Sequence, residues 1–273
     1  MLIAIFNQAG GVGKTTLTRD LGYELSLRNQ RVLVIDADPQ GTLGSFLGFD
    51  SQILPEDQTF WKSVVSDADL LPHIISTPFN LALGVCNRMM IAGEIQLMQE
   101  KNPARFRGIL SQIRSEFDVI LVDCPPRVSE ITVQVLLAAD GLLIPVQTEF
   151  KAVSSFAEVQ VEISKTQRRR RDMGLGALRV LGVVPTLFDT RLKVHSFHLD
   201  ELRTQICPEF HYQVLSPFRK YKSVIESGTF RKPLRVFDKN CPANEDVAAI
   251  AEAVLESLNP HKQASRHTQE AHG

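Results

Sequence analysis

The chain opens its chemistry early, in the run Asn7-Gln8-Ala9-Gly10-Gly11-Val12-Gly13-Lys14-Thr15-Thr16. Glycines let a backbone curl until successive N–H groups point at one anion. A lysine beside them adds a point charge, and a hydroxyl can ligate a hard divalent cation. Together these residue types at this spacing make a phosphate loop, suited to ATP and magnesium. Gly10, Gly11, Val12 and Gly13 form the cradle. Lys14 is placed for the β- and γ-phosphates, Thr15 for magnesium and Thr16 for the α-phosphate. A glycine-rich turn that merely opens a helix would not require Gly-Lys-Thr between a strand and a helix.

Two acidic sites fit the same chemistry. Asp36-Ala37-Asp38-Pro39-Gln40-Gly41 follows one apolar run and Asp123 ends another. Carboxylates at the C-terminal ends of parallel strands face the ligand crevice and can order water around a metal. Asp38 is assigned to the attacking water, and Asp36 and Asp123 to the magnesium shell. Each acid alone would read as a solvated strand cap; beside the loop, the three read as a set.

The elements that must position these groups follow from periodicity. Residues 2–6, 31–36, 119–122, 142–146 and 179–184 are short, nearly continuous apolar runs, as buried parallel strands are. Residues 81–85 and 214–215 are shorter candidates. Helical spacing marks residues 14–27, 103–117, 152–166, 196–206 and 246–258, and Ser129 is placed to cap another helix. The alternation predicts an α/β fold: a doubly wound, mainly parallel sheet with helices on both faces. Residues 1–258 read as one domain and 259–273 as a polar, disordered tail.

The chain of 273 residues carries a net charge of -1. That balance hides an asymmetry, because residues 165–235 hold fifteen Lys and Arg against six Asp and Glu. A basic region in a neutral chain predicts an anionic partner. No apolar run reaches the roughly 20 residues that span a bilayer, the first apolar run is too short for a signal peptide, and a cytoplasmic protein is expected. Cys86, Cys124, Cys207 and Cys241 form no C-x-x-C pair, so they read as reduced, mostly buried thiols.

With these residues in place, the sequence resembles the ParA/MinD superfamily of deviant Walker ATPases, and its ParA branch most. The resemblance lies in the loop at 10–16, in Asp36-Ala37-Asp38-Pro39-Gln40, in Val122-Asp123-Cys124-Pro125-Pro126, in Val184-Pro185-Thr186-Leu187-Phe188-Asp189-Thr190-Arg191 and in Lys232-Pro233. It covers nearly the whole chain except the tail. It implies an ATP-bound sandwich homodimer that binds DNA non-specifically and is released when an adaptor protein stimulates hydrolysis. A gradient of the ATPase then positions a cargo on the nucleoid. It also implies adenine near Pro217 and Phe218, although core packing explains Phe218 equally well.

One departure stands out. The family's second, signature lysine falls at Ala9. A missing cation between two facing triphosphates leaves charge uncompensated in a closed interface. Lys151, just after the strand at 142–146, is the candidate replacement; a solvated lysine at a helix start is the plainer reading. Absence of the signature lysine makes the chain similar to the carboxysome-positioning branch, with plasmid or chromosome partition as the alternative.

Arg191, Lys193, Arg219, Lys220, Lys222, Arg231, Lys232 and Arg235 are the candidate DNA contacts. Phosphate binding needs only cations on one face, and no base-reading motif is evident, so sequence-independent binding is expected. The separate run Arg168 to Arg171 reads equally well as a solvated helix end. Three rival readings share the loop. A reductase of the nitrogenase-iron-protein type would need Cys86 and Cys124 to share a cluster between subunits. A membrane-bound MinD type would end in an amphipathic helix, absent from the sequence after Asn259. The third is an ATP-binding protein without turnover.

Overall fold

The computed structural model describes residues 1–55, 58–66 and 73–258, and side chains throughout these except at 150–155. The strands are β1 (Leu2–Ile5), β2 (Val32–Asp36), β3 (Ile74–Ser76), β4 (Ala82–Gly84), β5 (Val119–Asp123), β6 (Gly141–Gln147), β7 (Arg179–Phe188) and β8 (Phe218–Arg219). The helices are α1 (Lys14–Ser26), α2 (Thr42–Phe46), α3 (Phe60–Ser66), α4 (Met90–Glu100), α5 (Arg105–Ser111), α6 (Glu130–Ala138), α7 (Phe150–Asp172), α8 (Lys193–Glu201), α9 (Cys207–Glu209), α10 (Lys222–Thr229), α11 (Leu234–Phe237) and α12 (Ala243–Leu258).

The strands form one sheet in the order β3-β4-β2-β5-β1-β6-β7-β8. All pairings are parallel except β3 with β4. Successive side chains of a strand point to opposite faces, and here both faces are apolar. Leu2, Ala4 and Phe6 enter one core with Phe60, Phe106, Ile131 and Phe156. Ile3 and Ile5 enter the other, with Leu17, Leu21, Leu25, Val247 and Val254. Each fully buried Leu, Ile or Phe contributes about 1.5–3 kcal/mol, and the central strand β1 carries no polar residue. The strand order reverses at β1, whose neighbours are β5 on one side and β6 on the other. That switch point leaves a crevice at the C-terminal edge of the sheet, and the loop at 10–16 leaves β1 directly into it.

The doubly wound parallel sheet is as expected from the sequence. Boundaries differ where tertiary packing overrides local signals. β6 is one residue longer at each end than the expected 142–146, with Pro145 in register with Val184. The expected strand at 214–215 is a single bridge from Val214 to Val183, and the pairing strand is β8. The helix expected over 103–117 is the shorter α5. Ser129 occupies the N-cap of α6 without a side-chain capping bond. The tail at 259–273 lies outside the described residues.

Helix α7 continues past residue 166 and absorbs the arginine run. Arg168, Arg169 and Arg171 are exposed, as a solvated helix end would be. Arg170 is not: it is 4% exposed, and its guanidinium donates to the carbonyls of Leu136, Leu137, Ala139 and Gly176 at 2.7–3.1 Å. It therefore caps the C-terminal end of α6, where carbonyls lack helical partners. Arg170→Ala is expected to lower stability by about 3 kcal/mol, read as a lower denaturant midpoint at unchanged slope. Alanine at Arg168 should change it by under about 0.5 kcal/mol.

Candidate functional site

The loop is held from three sides. Asn7 is buried; its Nδ2 donates to Pro145 O at 2.7 Å and its Oδ1 accepts from Ala9 N at 2.9 Å. Thr186 Oγ1, on β7, donates to Val12 O at 2.7 Å. Gly11 and Gly13 take φ of 74° and 82°, a region that other residues enter at a cost. Lys14 folds back across the loop, with Nζ donating to Asn7 O at 3.0 Å and Ala9 O at 2.8 Å. Burial pulls its pKa down, and the nearby Asp123 carboxyl pulls it back up. The first turn of α1 has no acidic residue and no side-chain cap. Its N–H groups and dipole are thus left for an anion.

The three acids stand at neighbouring strand ends but differ in what occupies them. Asp36 and Asp123 are register partners on β2 and β5. Burial raises the Asp123 carboxyl to about 7, opposed by the Thr15 hydroxyl, the Lys14 ammonium and the Thr18 hydroxyl. One of its oxygens, Oδ1, is buried without a hydrogen-bond partner. Asp36 is also raised, by burial and then by Asp123. Its oxygens are already engaged: Oδ1 accepts from Asp38 N at 3.0 Å, and Oδ2 from Leu43 N at 2.9 Å and Gly44 N at 3.3 Å. The structure thus gives Asp36 a duty that the sequence reading did not, fixing the 36–44 loop and the start of α2. Asp38 is half-buried and accepts one amide, from Gln40 N at 2.9 Å.

Beside the loop lies a cleft of about 190 Å³, lined by Gly13, Thr16, Phe46, Leu187, Phe218 and Gly228 among others. Its walls are largely apolar, which suits the faces of a flat base. Phe218 lines it at 4% exposure, while Pro217 is half-buried and not part of the wall. Asn7, Thr186, Phe46 and Leu187 were missed by sequence reasoning. Only Asn7, next to the glycine run, carried a local signal. Lys151 is the second residue of α7, just past the C-terminal end of β6; its side chain lies outside the described residues.

The basic candidates separate into free and committed cations. Lys193, Lys220, Lys222, Arg231 and Lys232 are exposed, Lys222 with Glu226 at 3.1 Å. Arg191 is exposed but held by Asp189 at 2.6 and 2.9 Å, a pairing that drives the Asp189 carboxyl far below its usual range. Arg219 is half-buried and paired: its side chain is held by Asp246 at 2.7–3.0 Å and by Pro242 O at 3.0 Å. It joins β8 to α12 and is not a free phosphate contact. Arg235 is likewise taken by Glu24 and by Asn244 O.

Cys86 and Cys124 are 0% and 1% exposed, so neither can reach a cluster shared across a subunit boundary. Among the described residues, no helix is long and apolar enough to cross a membrane.

A family model described as an AAA domain matches residues 1–174. The chromosome partitioning protein ParA of Myxococcus xanthus is 28% identical over 262 residues, 95% of this chain and 89% of that protein. Among solved structures, cobyrinic acid a,c-diamide synthase from Mycobacterium smegmatis with bound ATP analog and magnesium is similar at 28% identity, with a TM-score of 0.73 over 84% of this chain and 92% of that one. McdA from Cyanothece matches in fold, with a TM-score of 0.80 at 22% identity, over 93% of this chain and 98% of that one.

Proposed function

The chain belongs to the AAA domain family and is an ATPase of the ParA/MinD type, and from that premise we propose that it is an ATP-switched homodimer that binds DNA without sequence preference and positions a cargo along the nucleoid. Its cofactors are ATP and magnesium. One observation carries the reading. Helix α10 lines the base cleft with Val224, Ile225 and Gly228, and exposed cations flank it: Lys220 and Lys222 at its start, Arg231 and Lys232 just after its end. Nucleotide and polyanion would thus be read by the two sides of one short element.

In this reading the loop amides of residues 10–13 and Lys14 hold the phosphates, with Thr16 on the α-phosphate. Thr15 and Asp123 hold magnesium, with Asp36 behind them. The metal, when bound, supplies positive charge at the phosphate oxygens. Asp38 orients the water for in-line attack, and Lys14 offsets charge that develops on the transferred group. Lys151 is the candidate to replace the missing cation at Ala9 across the dimer. A carboxysome is the first cargo to test, because Ala9 stands where the signature lysine falls, a feature that resembles the carboxysome-positioning branch. Chromosome or plasmid partition is the second, supported by the similarity to the Myxococcus ParA.

The test is DNA binding by the purified protein with ATP, with ADP and with neither. Binding only with ATP, falling as salt rises, supports the reading; binding regardless of nucleotide, or none at all, overturns it. Within that assay, Arg231→Ala with Lys232→Ala is expected to weaken binding about tenfold and to flatten the log–log salt slope by about 1.8, the loss of two phosphate contacts. Arg219→Ala should leave the salt slope as it was. A slope change at Arg219 with none at Arg231 and Lys232 would reverse the assignment.

A further inference from the structure

Three helices meet around one aromatic ring. Phe46, the last residue of α2, has the Arg19 guanidinium 5.4 Å from its centroid. Gly228 of α10 packs on the same ring, where an added Cβ would stand 3.1 Å from it, so a larger residue would push α10 away. Phe46 and Gly228 both line the base cleft. Arg19 is fully buried; it bonds Asp20 through two donors at 2.8 Å and Ser227 Oγ at 2.7 Å. Asp20 Oδ1 in turn accepts from Leu234 N at 2.9 Å, and one turn further along α1, Glu24 accepts from Arg235.

The segment 227–235 is therefore tied at both ends to the helix that follows the phosphate loop. Between the ties it presents Phe230, Arg231 and Lys232, all exposed, with Arg231 at a φ of 56°. At the other end of the same route, α2 starts on the Asp36 carboxylate, which also holds the backbone of Asp38. Contacts are thus continuous from the acid loop, through α2 and Phe46, to Arg19, α10 and the basic turn. One donor of this network, Arg19 Nη1, is buried without a partner. Buried unpaired donors are costly, and a network that re-pairs this one in a second arrangement would have two discrete states, which coupling between sites requires.

We propose that Arg19 is a positioning residue that transmits the state of the acid loop and base cleft to the basic turn at 230–232. The proposal rests on the reading of that turn as a DNA contact and of the acid loop as facing the triphosphate. When the 36–44 loop shifts with the γ-phosphate, α2 carries Phe46 with it. The Arg19–Ser227 bond and the Gly228 packing then move α10 and the turn. A merely structural Arg19 would affect stability and leave the nucleotide response of the turn unchanged.

The test uses hydrogen exchange on the full chain, with ATP, with ADP and without nucleotide, in the parent, Ser227→Ala and Arg19→Lys. Ser227→Ala removes the bond from Arg19 and the local Oγ–Val224 O bond at 2.8 Å within α10, with little volume, and so keeps the test open should Arg19→Lys fold poorly. In the parent, ATP is expected to slow exchange across 228–234 more than ADP does. In Ser227→Ala that difference disappears, while nucleotide still protects residues 10–16. In parallel, the parent's preference for DNA with ATP over ADP, about tenfold or more as is usual for coupled sites, should fall about fivefold in the variant. An unchanged ATP response of 228–234 in Ser227→Ala, or none in the parent, overturns the coupling. If the exchange response follows the proposal but no form binds DNA, the coupling stands and the DNA reading fails.

Discussion

Lys14→Ala is expected to reduce steady-state phosphate release about 10²- to 10³-fold while leaving the thermal midpoint within a few degrees of the parent. The size follows from the usual effect of removing one preorganised charge from a developing anion in a water-poor site. Lys14 is only 7% exposed, so its field at the crevice is weakly screened. Its two hydrogen bonds go to carbonyls of its own loop, and Asp123, which its charge holds down, can take up a proton in its absence; the fold should survive its loss. Lys14→Arg should not restore turnover, because a planar guanidinium cannot occupy the same point between Asn7 O and Ala9 O. Release within threefold of the parent would remove Lys14 from the reaction.

Asp38→Ala separates binding from turnover. It is expected to lower phosphate release about 10²- to 10⁴-fold, the range for loss of a group that positions or accepts a proton, with nucleotide affinity kept. The contrast with Asp36 identifies the residue. Asp36 is closed on both oxygens by loop amides. Asp38 accepts a single amide through Oδ1, and among the described residues its Oδ2 takes no protein hydrogen bond. Under the proposed cycle the variant should accumulate in the ATP state and remain on DNA after the parent has dissociated. The check is a dissociation time course after excess ATP is withdrawn, beside a turnover assay. Parallel loss of nucleotide binding and turnover would instead make Asp38 a ligand-holding group.

The phosphate loop was legible because its residue types serve a ligand and recur at fixed spacing between a strand and a helix. The strand ends Asp36 and Asp123 were legible for the same reason. The pairing of Arg219 was not legible, since composition shows a cation but not the Asp246 carboxylate that arrives from 27 residues away. Arg170 hid inside a run of four arginines, and only the crossing of α7 over the end of α6 singles it out. The base cleft was half visible. Phe218 was reached by resemblance, whereas Phe46 comes from a five-residue helix too short for a periodic signal. The strand expected over 179–184 runs on to Phe188, with Pro185 in register with Val146.

The pairing of Asp36 with Asp123 on adjacent strands has an evolutionary consequence. Two carboxyls at 0% and 1% exposure, both pushed up by burial and Asp36 also by the charge of Asp123, are a poor choice for a fold that only has to persist. A laboratory selection for heat resistance alone would tend to drift toward asparagine at Asp123, since a neutral amide ends the repulsion and can still meet the Thr15 hydroxyl. The survivors would be sturdier and inert. The retained pair is thus a local trade of robustness against chemistry, and heat-selected variants of this chain need a turnover filter from the first round.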